Sequence, residues 1–280
     1  MILLEKNIEL FIRLGFFIGI LILMALWEVA APRRPLIMSK FTRWVGNLGL
    51  VLIDSVLVRL IFPITLMGVA FLARKQGWGI LNQLQLPFWF HIILGVLIFD
   101  FAIYLQHILF HAITLFWRLH MVHHSDLDYD VTTGIRFHPI EIILSMGIKM
   151  AVVLLMGPLP LSIPIFEILL NGTSMFNHGN VRYPLGFDKW LRLLVVTPEM
   201  HRFHHSTIRC ETNCNFGFNF PWWDRLFGTY RPQPAKGHLE MTIGLDQYKD
   251  PKKLTLPWLI ALPFVGKMGR YPLTPKSGTE

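Results

Sequence analysis

The sequence predicts an all-α integral-membrane protein, a helical bundle of about four spans, the last a bent hairpin, under a cytoplasmic histidine-rich helical cap. Three observations lead there. Of its 280 residues 53% are apolar and only 16% charged, with mean hydropathy +0.46, outside the range of soluble domains. The apolar residues gather in long runs of spanning length. Eight of the 12 histidines fall into three groups at helical spacing.

The first run, Leu14 to Trp27, follows Lys6 and Arg13 and precedes Ala30, Ala31 and Pro32. With Leu10 to Ile12 included and Arg13 snorkelling, it reaches the ~20 residues of a spanning helix, and it reads as a retained anchor rather than a cleaved leader. A second span is expected over about Leu48 to Ala73. Its Asp54 and Arg59 are costly in lipid unless they face protein or each other. A third runs from Phe88 to Phe110. The next apolar stretch, Ile142 to Leu170, is too long for one span and carries GPLPLSIP at its centre. A hairpin bent at Pro158 and Pro160 is expected, which returns His178 to the side of His138. The segment Leu254 to Val265, broken by Pro257 and Pro263, is too short to span and reads as interfacial. These expectations divide the chain into membrane helices at 1–85, a catalytic unit at 86–232 and a basic tail at 233–280.

The net charge of +8 resides mainly in loops and tail, which points to anionic lipid headgroups rather than nucleic acid. Arg33, Arg34, Lys40 and Arg43 outnumber Arg74 and Lys75 in the next loop, which sets the first loop and the end of the third span on the cytoplasmic side. Cys210 and Cys214 read as free thiols of a reduced compartment.

The histidines carry the chemistry. His107 and His111 form a His-x-x-x-His pair. His120, His123 and His124 lie in WRLHMVHHS, and His201, His204 and His205 in PEMHRFHHS. Residues three and four apart share a helix face, so each group can aim its imidazoles at one point. Neutral imidazole is the commonest protein metal ligand, and eight are more than one ion needs, so two metals are expected. Neither Glu-x-x-His nor His-Glu-x-x-His occurs. Asp100, Tyr104, His107 and His111 step by four, three and four along one stripe. Asp100 could therefore hold an imidazole in its tautomer.

The boxes and the runs HHSDLDYDVTTGIRFHPIE (123–141), NHGNVRYP (177–184), LLVVTPEMHRFHHS (193–206) and NFGFNFPWWDRLFGTYRP (215–232) resemble the fatty acid hydroxylase / sterol desaturase superfamily of membrane di-iron oxygenases. The resemblance adds His178 and His138 to the ligand candidates, an orienting role being the alternative for each. Where some members carry another histidine, this chain has Ser174. Asp126, Asn215 and Asp224 become candidates for orienting imidazoles; packing and capping remain open for the latter two. The resemblance implies two iron ions, O₂ and a membrane lipid as substrate: fatty-acyl, ether-lipid or sterol-like, to be hydroxylated or desaturated. Electrons would come from a separate ferredoxin or cytochrome with its reductase. A carotenoid or isoprenoid hydroxylase is a competing enzyme reading, and a histidine-rich membrane metal transporter or sensor a competing non-enzyme one. His91 and His238 match no motif and read as structural.

Overall fold

The structure, a computed structural model, describes residues 2–273; residues 274–280 of the expected tail lie outside the described residues. Those described form helices α1 (Ile2–Ala30), α2 (Lys40–Ile61), α3 (Leu66–Gln76), α4 (Phe88–Ala112), α5 (Thr114–His124), α6 (Pro139–Met156), α7 (Ser162–Asn177), α8 (Leu185–Leu191), α9 (Pro198–His201) and α10 (Leu256–Val265), with a few further single turns and no strand. Among the described residues four segments are long and apolar enough to cross a membrane: Glu9–Ala30, Lys40–Gln83, Phe88–Ala112 and Pro139–Met156.

The second span differs from its expected bounds. It begins at Lys40, where the Ser39 hydroxyl caps the helix, and stops at Phe62 before Pro63. Proline lacks the N–H and its ring crowds the carbonyl four residues back. The chain restarts at α3 with Thr65 as cap, its hydroxyl accepting from the Gly68 amide at 3.1 Å. Arg13 does not snorkel: its guanidinium reaches inward to Glu167 of α7 at 2.9 Å and to Glu9 at 3.3 Å. Arg59 is exposed, and Asp54 is buried without it.

α4 is the axis of the bundle, packed by α5, α6 and α7, with α1 on the far side of α7 and α2 and α3 against α6. Lipid tails are as apolar as leucine, so contact area and small residues hold such helices together. The fully buried Ala70 and Ala73 of α3 and the stacked rings of Phe99 and Phe166, 4.9 Å apart, do so here. The hairpin bends at Gly157, a left-handed cap (φ 66°) where a Cβ would lie 2.8 Å from the Trp78 carbonyl oxygen. Its arms splay around α4, and α7, at 16 residues, is shorter than a full crossing. The bend does return the cap of α7, His178, to the end of the bundle where His138 caps α6.

Above the bundle, residues 113–138 and 178–250 fold into short helices and turns. It is fastened to α2 by a buried ionic lattice. Arg43 donates to both oxygens of Asp126 at 2.7 and 2.8 Å and to Asp130 at 2.5 Å, all three fully buried. Removing one partner from such a lattice costs about 3–5 kcal/mol, because it strands a buried charge. The expected interfacial segment is α10. It exposes Phe264 and Val265, yet buries Leu259 and Leu262 against Trp117, Met121 and Val122 of α5. The tail therefore supports the second histidine box from behind.

Candidate metal centre

All three boxes meet. His107 and His111 lie on the inward stripe of α4, His120, His123 and His124 on α5, and His201, His204 and His205 on α9 and the tight turn after it. With His178 they form two adjoining clusters, in each of which one nitrogen per ring lies within 4.8 Å of every other. One contains His107, His111, His120, His124 and His204; the other contains His123, His178, His201 and His205. The rings of His124 and His205, 4.5 Å apart, join them.

The tautomers follow from what the rings face. Nδ1 of His107 lies 2.7 Å from the Phe216 carbonyl oxygen, that of His204 2.7 Å from Cys214 O, that of His123 3.2 Å from Arg136 O and that of His178 2.8 Å from Ser174 O. A carbonyl only accepts, so each Nδ1 carries the proton and each Nε2 a lone pair. Those lone pairs then face one another. His107 and His204 Nε2 are 3.0 Å apart, and His178 Nε2 is 3.2 Å from Nε2 of both His123 and His205. Nε2 of His111, His120, His124 and His201 has no hydrogen-bond partner although buried. Converging, proton-free nitrogens are unfavourable unless a cation lies among them, so the donor set fits metal. Burial pushes His120 and His178 down to about 3, and burial together with neighbouring rings holds His123, His124, His201, His204 and His205 well below the ordinary imidazole range. All seven are thus neutral, as ligands must be.

His138 is not brought to either cluster. Its Nδ1 accepts from the Ile140 amide at 3.2 Å, which caps α6, and its Nε2 donates to Ile260 O of α10 at 3.2 Å. His91 lies at the hairpin bend, 3.3 Å from Gly157 O, and His238 lies 3.3 Å from Glu199.

The side chains of the four residues expected to orient imidazoles are hydrogen-bonded to other partners. Asp100 accepts from the Trp223 indole at 2.7 Å and from the Asn219 amide. Asp126 is committed to Arg43, Arg136 and Thr133; burial raises its carboxyl, and the two guanidiniums more than reverse this, so it stays ionised. Asn215, at φ 53°, ties its side chain to Met200 O and to the Arg231 backbone. Asp224 accepts from the amides of Phe216 and Gly217, both at 2.8 Å, and from Thr229. Asp100, Asn215 and Asp224 together fix the loop 213–219 against α4, and that loop supplies the acceptors for His107 and His204.

Several supporting residues carried no local signal. Glu141 of α6 accepts from Nδ1 of the uncharged His120 at 2.7 Å. Asn213 Oδ1 faces Nδ1 of His111 at 3.1 Å, its amide group being spent on Arg209 O and Tyr271 O. Phe137 stacks on His123 at 4.6 Å and Tyr129 on His178 at 5.3 Å. Gly134 has no room for a Cβ, which would sit 2.4 Å from Ser174 O and 3.1 Å from His178 Nδ1.

A cavity of about 290 Å³ opens from this centre into the bundle, lined by α1, α2, α4, α6 and α7 and reaching His107 and His120. Fold and site thus define a membrane-embedded protein with a paired, all-histidine centre at one end of its helices. Residues 92–229 match the fatty acid hydroxylase family, and the chain belongs to that superfamily. It is 34% identical to ornithine lipid hydroxylase OlsE of Rhizobium tropici over 56% of its own length and 47% of the relative's. Human alkylglycerol monooxygenase is 30% identical, over 53% of the chain and 32% of the relative. Cholesterol 25-hydroxylase of Rattus norvegicus is 28% identical, over 82% and 77%. The chain spans about half or less of the first two relatives' length. No solved structure matches it.

Proposed function

We propose that the chain is an O₂-dependent di-iron oxygenase that hydroxylates a lipid drawn from the bilayer, desaturation being the alternative outcome of the same C–H oxidation. The observation that carries this is the cavity. It reaches from among the spanning helices to His107 and His120, so a lipid segment can come up to the metal from within the bundle. The relatives act on ornithine lipid, alkylglycerol and cholesterol by name, all lipids.

Two iron ions, held by His107, His111, His120, His124 and His204 and by His123, His178, His201 and His205, would supply the reduction of O₂ that no side chain can perform and that zinc, lacking redox chemistry, cannot. The chain's own part is positional. Carbonyl oxygens and Glu141 hold the Nδ1 protons of His107, His120, His123, His178 and His204, which turns the Nε2 lone pairs of those rings inward. Phe110, Phe137 and Phe218 line the cavity beside them and exclude water from the reacting carbon. Hydroxylation balances as C–H plus O₂, two electrons and two protons giving C–OH and water, so a separate electron-transfer protein, a ferredoxin or a cytochrome with its reductase, is part of the proposal. So is the cytoplasmic placement of the centre, which rests on the excess of Arg and Lys in the loop after α1.

The test is metal and product analysis of the chain purified in nanodiscs with its host's lipids. Iron near two per chain and an O₂-dependent, oxygenated lipid product are expected. A single exchangeable zinc with no oxygen consumption would overturn the reading in favour of a transporter or sensor.

A further inference from the structure

The cavity is not an apolar slot. α6 turns Glu141, Ser145 and Lys149 into it at spacings of four, and α7 turns in Ser174, Asn171 and Glu167 at spacings of three and four. Asp54 of α2 and Gln106 of α4 complete a polar seam along otherwise apolar walls. Lys149 lies eight residues beyond Glu141, and Glu167 eleven before His178. By helix rise the far end of the seam is therefore roughly 12–16 Å from the histidines, well inside a bilayer core. Charged and amide groups at that depth are costly and mark functional sites.

The seam's hydrogen bonds are lopsided. Its far end is ion-paired, Glu167 being shared by Arg13 at 2.9 Å and Lys149 at 3.6 Å. Nearer the histidines, Asp54 Oδ1, Gln106 Oε1 and Glu141 Oε2 have no partner, although Asp54 is 7%, Gln106 9% and Glu141 3% exposed. Three buried acceptors on three helices, facing one cavity, call for donors from its occupant.

We propose that this cavity takes its lipid polar part first: a single-chain amphiphile whose hydroxyl or ammonium groups donate to Asp54, Gln106 and Glu141, so that the carbon presented to the centre lies near the headgroup and not at the end of a hydrocarbon tail. This rests on the oxygenase reading for its chemistry but not for its binding, so the two fail separately.

The experiment measures binding to metal-stripped full-length chain in nanodiscs by native mass spectrometry, with dodecylglycerol, its di-O-methyl ether and dodecylamine as probes. Dodecylglycerol and dodecylamine are expected to bind roughly tenfold or more tightly than the ether, the size of an unmet buried hydrogen bond. Asp54→Leu should reduce that preference severalfold while the purified variant still loads metal. Asp54→Asn, which keeps the shape should the leucine variant not fold, should weaken dodecylamine more than dodecylglycerol. Equal binding of ether and glycerol, or an unchanged preference in Asp54→Leu or unchanged dodecylamine binding in Asp54→Asn, would overturn the inference. Oxygen consumption by the loaded enzyme on other lipids would then still stand.

Discussion

The two histidine clusters are built from the same side chain and lie in contact, yet they are held differently. In the five-histidine cluster, His107, His111, His120 and His204 each have Nδ1 engaged, one of them by the carboxylate of Glu141. In the four-histidine cluster only His123 and His178 are so held; both nitrogens of His201 and Nδ1 of His205 have no partner. The first cluster borders the lipid cavity through His107 and His120, whereas the second is backed by Tyr129, which stacks on His178 and lines a surface pocket of about 330 Å³. One site has most of its rings held at Nδ1 and borders the cavity, and the other has fewer held and adjoins the polar surface pocket. The pair should therefore be inequivalent.

The sharpest way to break this contrast is to remove ligands. His205→Ala leaves the four-histidine cluster with three rings, and iron per chain should fall from about two to about one with turnover abolished, by elemental analysis and product assay. His124→Ala leaves four ligands in the other cluster, and iron should stay near two. The reverse pattern would sink the assignment.

Acid should act on both clusters together. Unfolded imidazole titrates near 6.5, whereas folded His120 and His178 do so at about 3. Between those values the unfolded chain binds more protons, so stability falls as pH falls through that window. The metal-stripped protein should lose several kcal/mol from pH 6.5 to 4, read by chemical denaturation. A flat profile would mean that the rings are open to water.

Smaller effects separate the clusters again. Asp224→Ala frees the amides of Phe216 and Gly217 and should cost about 2–4 kcal/mol of stability, loosening His107 and His204 but not His178. Glu141→Gln should weaken metal at the five-histidine cluster about 10–100-fold in a chelator competition and leave the other unchanged. Tyr129→Phe, which loses one hydrogen bond to Asn177 O, should cost only about 1 kcal/mol and shift the spectrum of the four-histidine site alone.

Much of this was legible in the sequence because spacing is local. The stripe from Asp100 to His111, the bend at Gly157–Pro160 and the three boxes all depend on residues a few positions apart. What escaped was tertiary. Glu141 meets His120 across 21 residues, Asn213 meets His111 across 102, and Arg13 meets Glu167 across two helices. Asp126 sits beside a histidine box in sequence and beside arginines in space, because a buried carboxylate settles where guanidinium is available. His138, flanked by proline, is spent on starting a helix.

Arg43 carries a last consequence. The family match begins at residue 92, and a boundary near 85 looks like a natural place to cut. Yet Arg43, the cation that pairs with both Asp126 and Asp130, enters from the α2 side of that cut. A chain shortened to its matching region would keep every imidazole of the two clusters and Arg136 beside Asp126, but lose the guanidinium that ties Asp126 and Asp130 together, leaving Asp130 without its ion-pair partner under the histidines. Transplanting the boxes onto another scaffold, or expressing the two halves as separate polypeptides, would have to bring that guanidinium along.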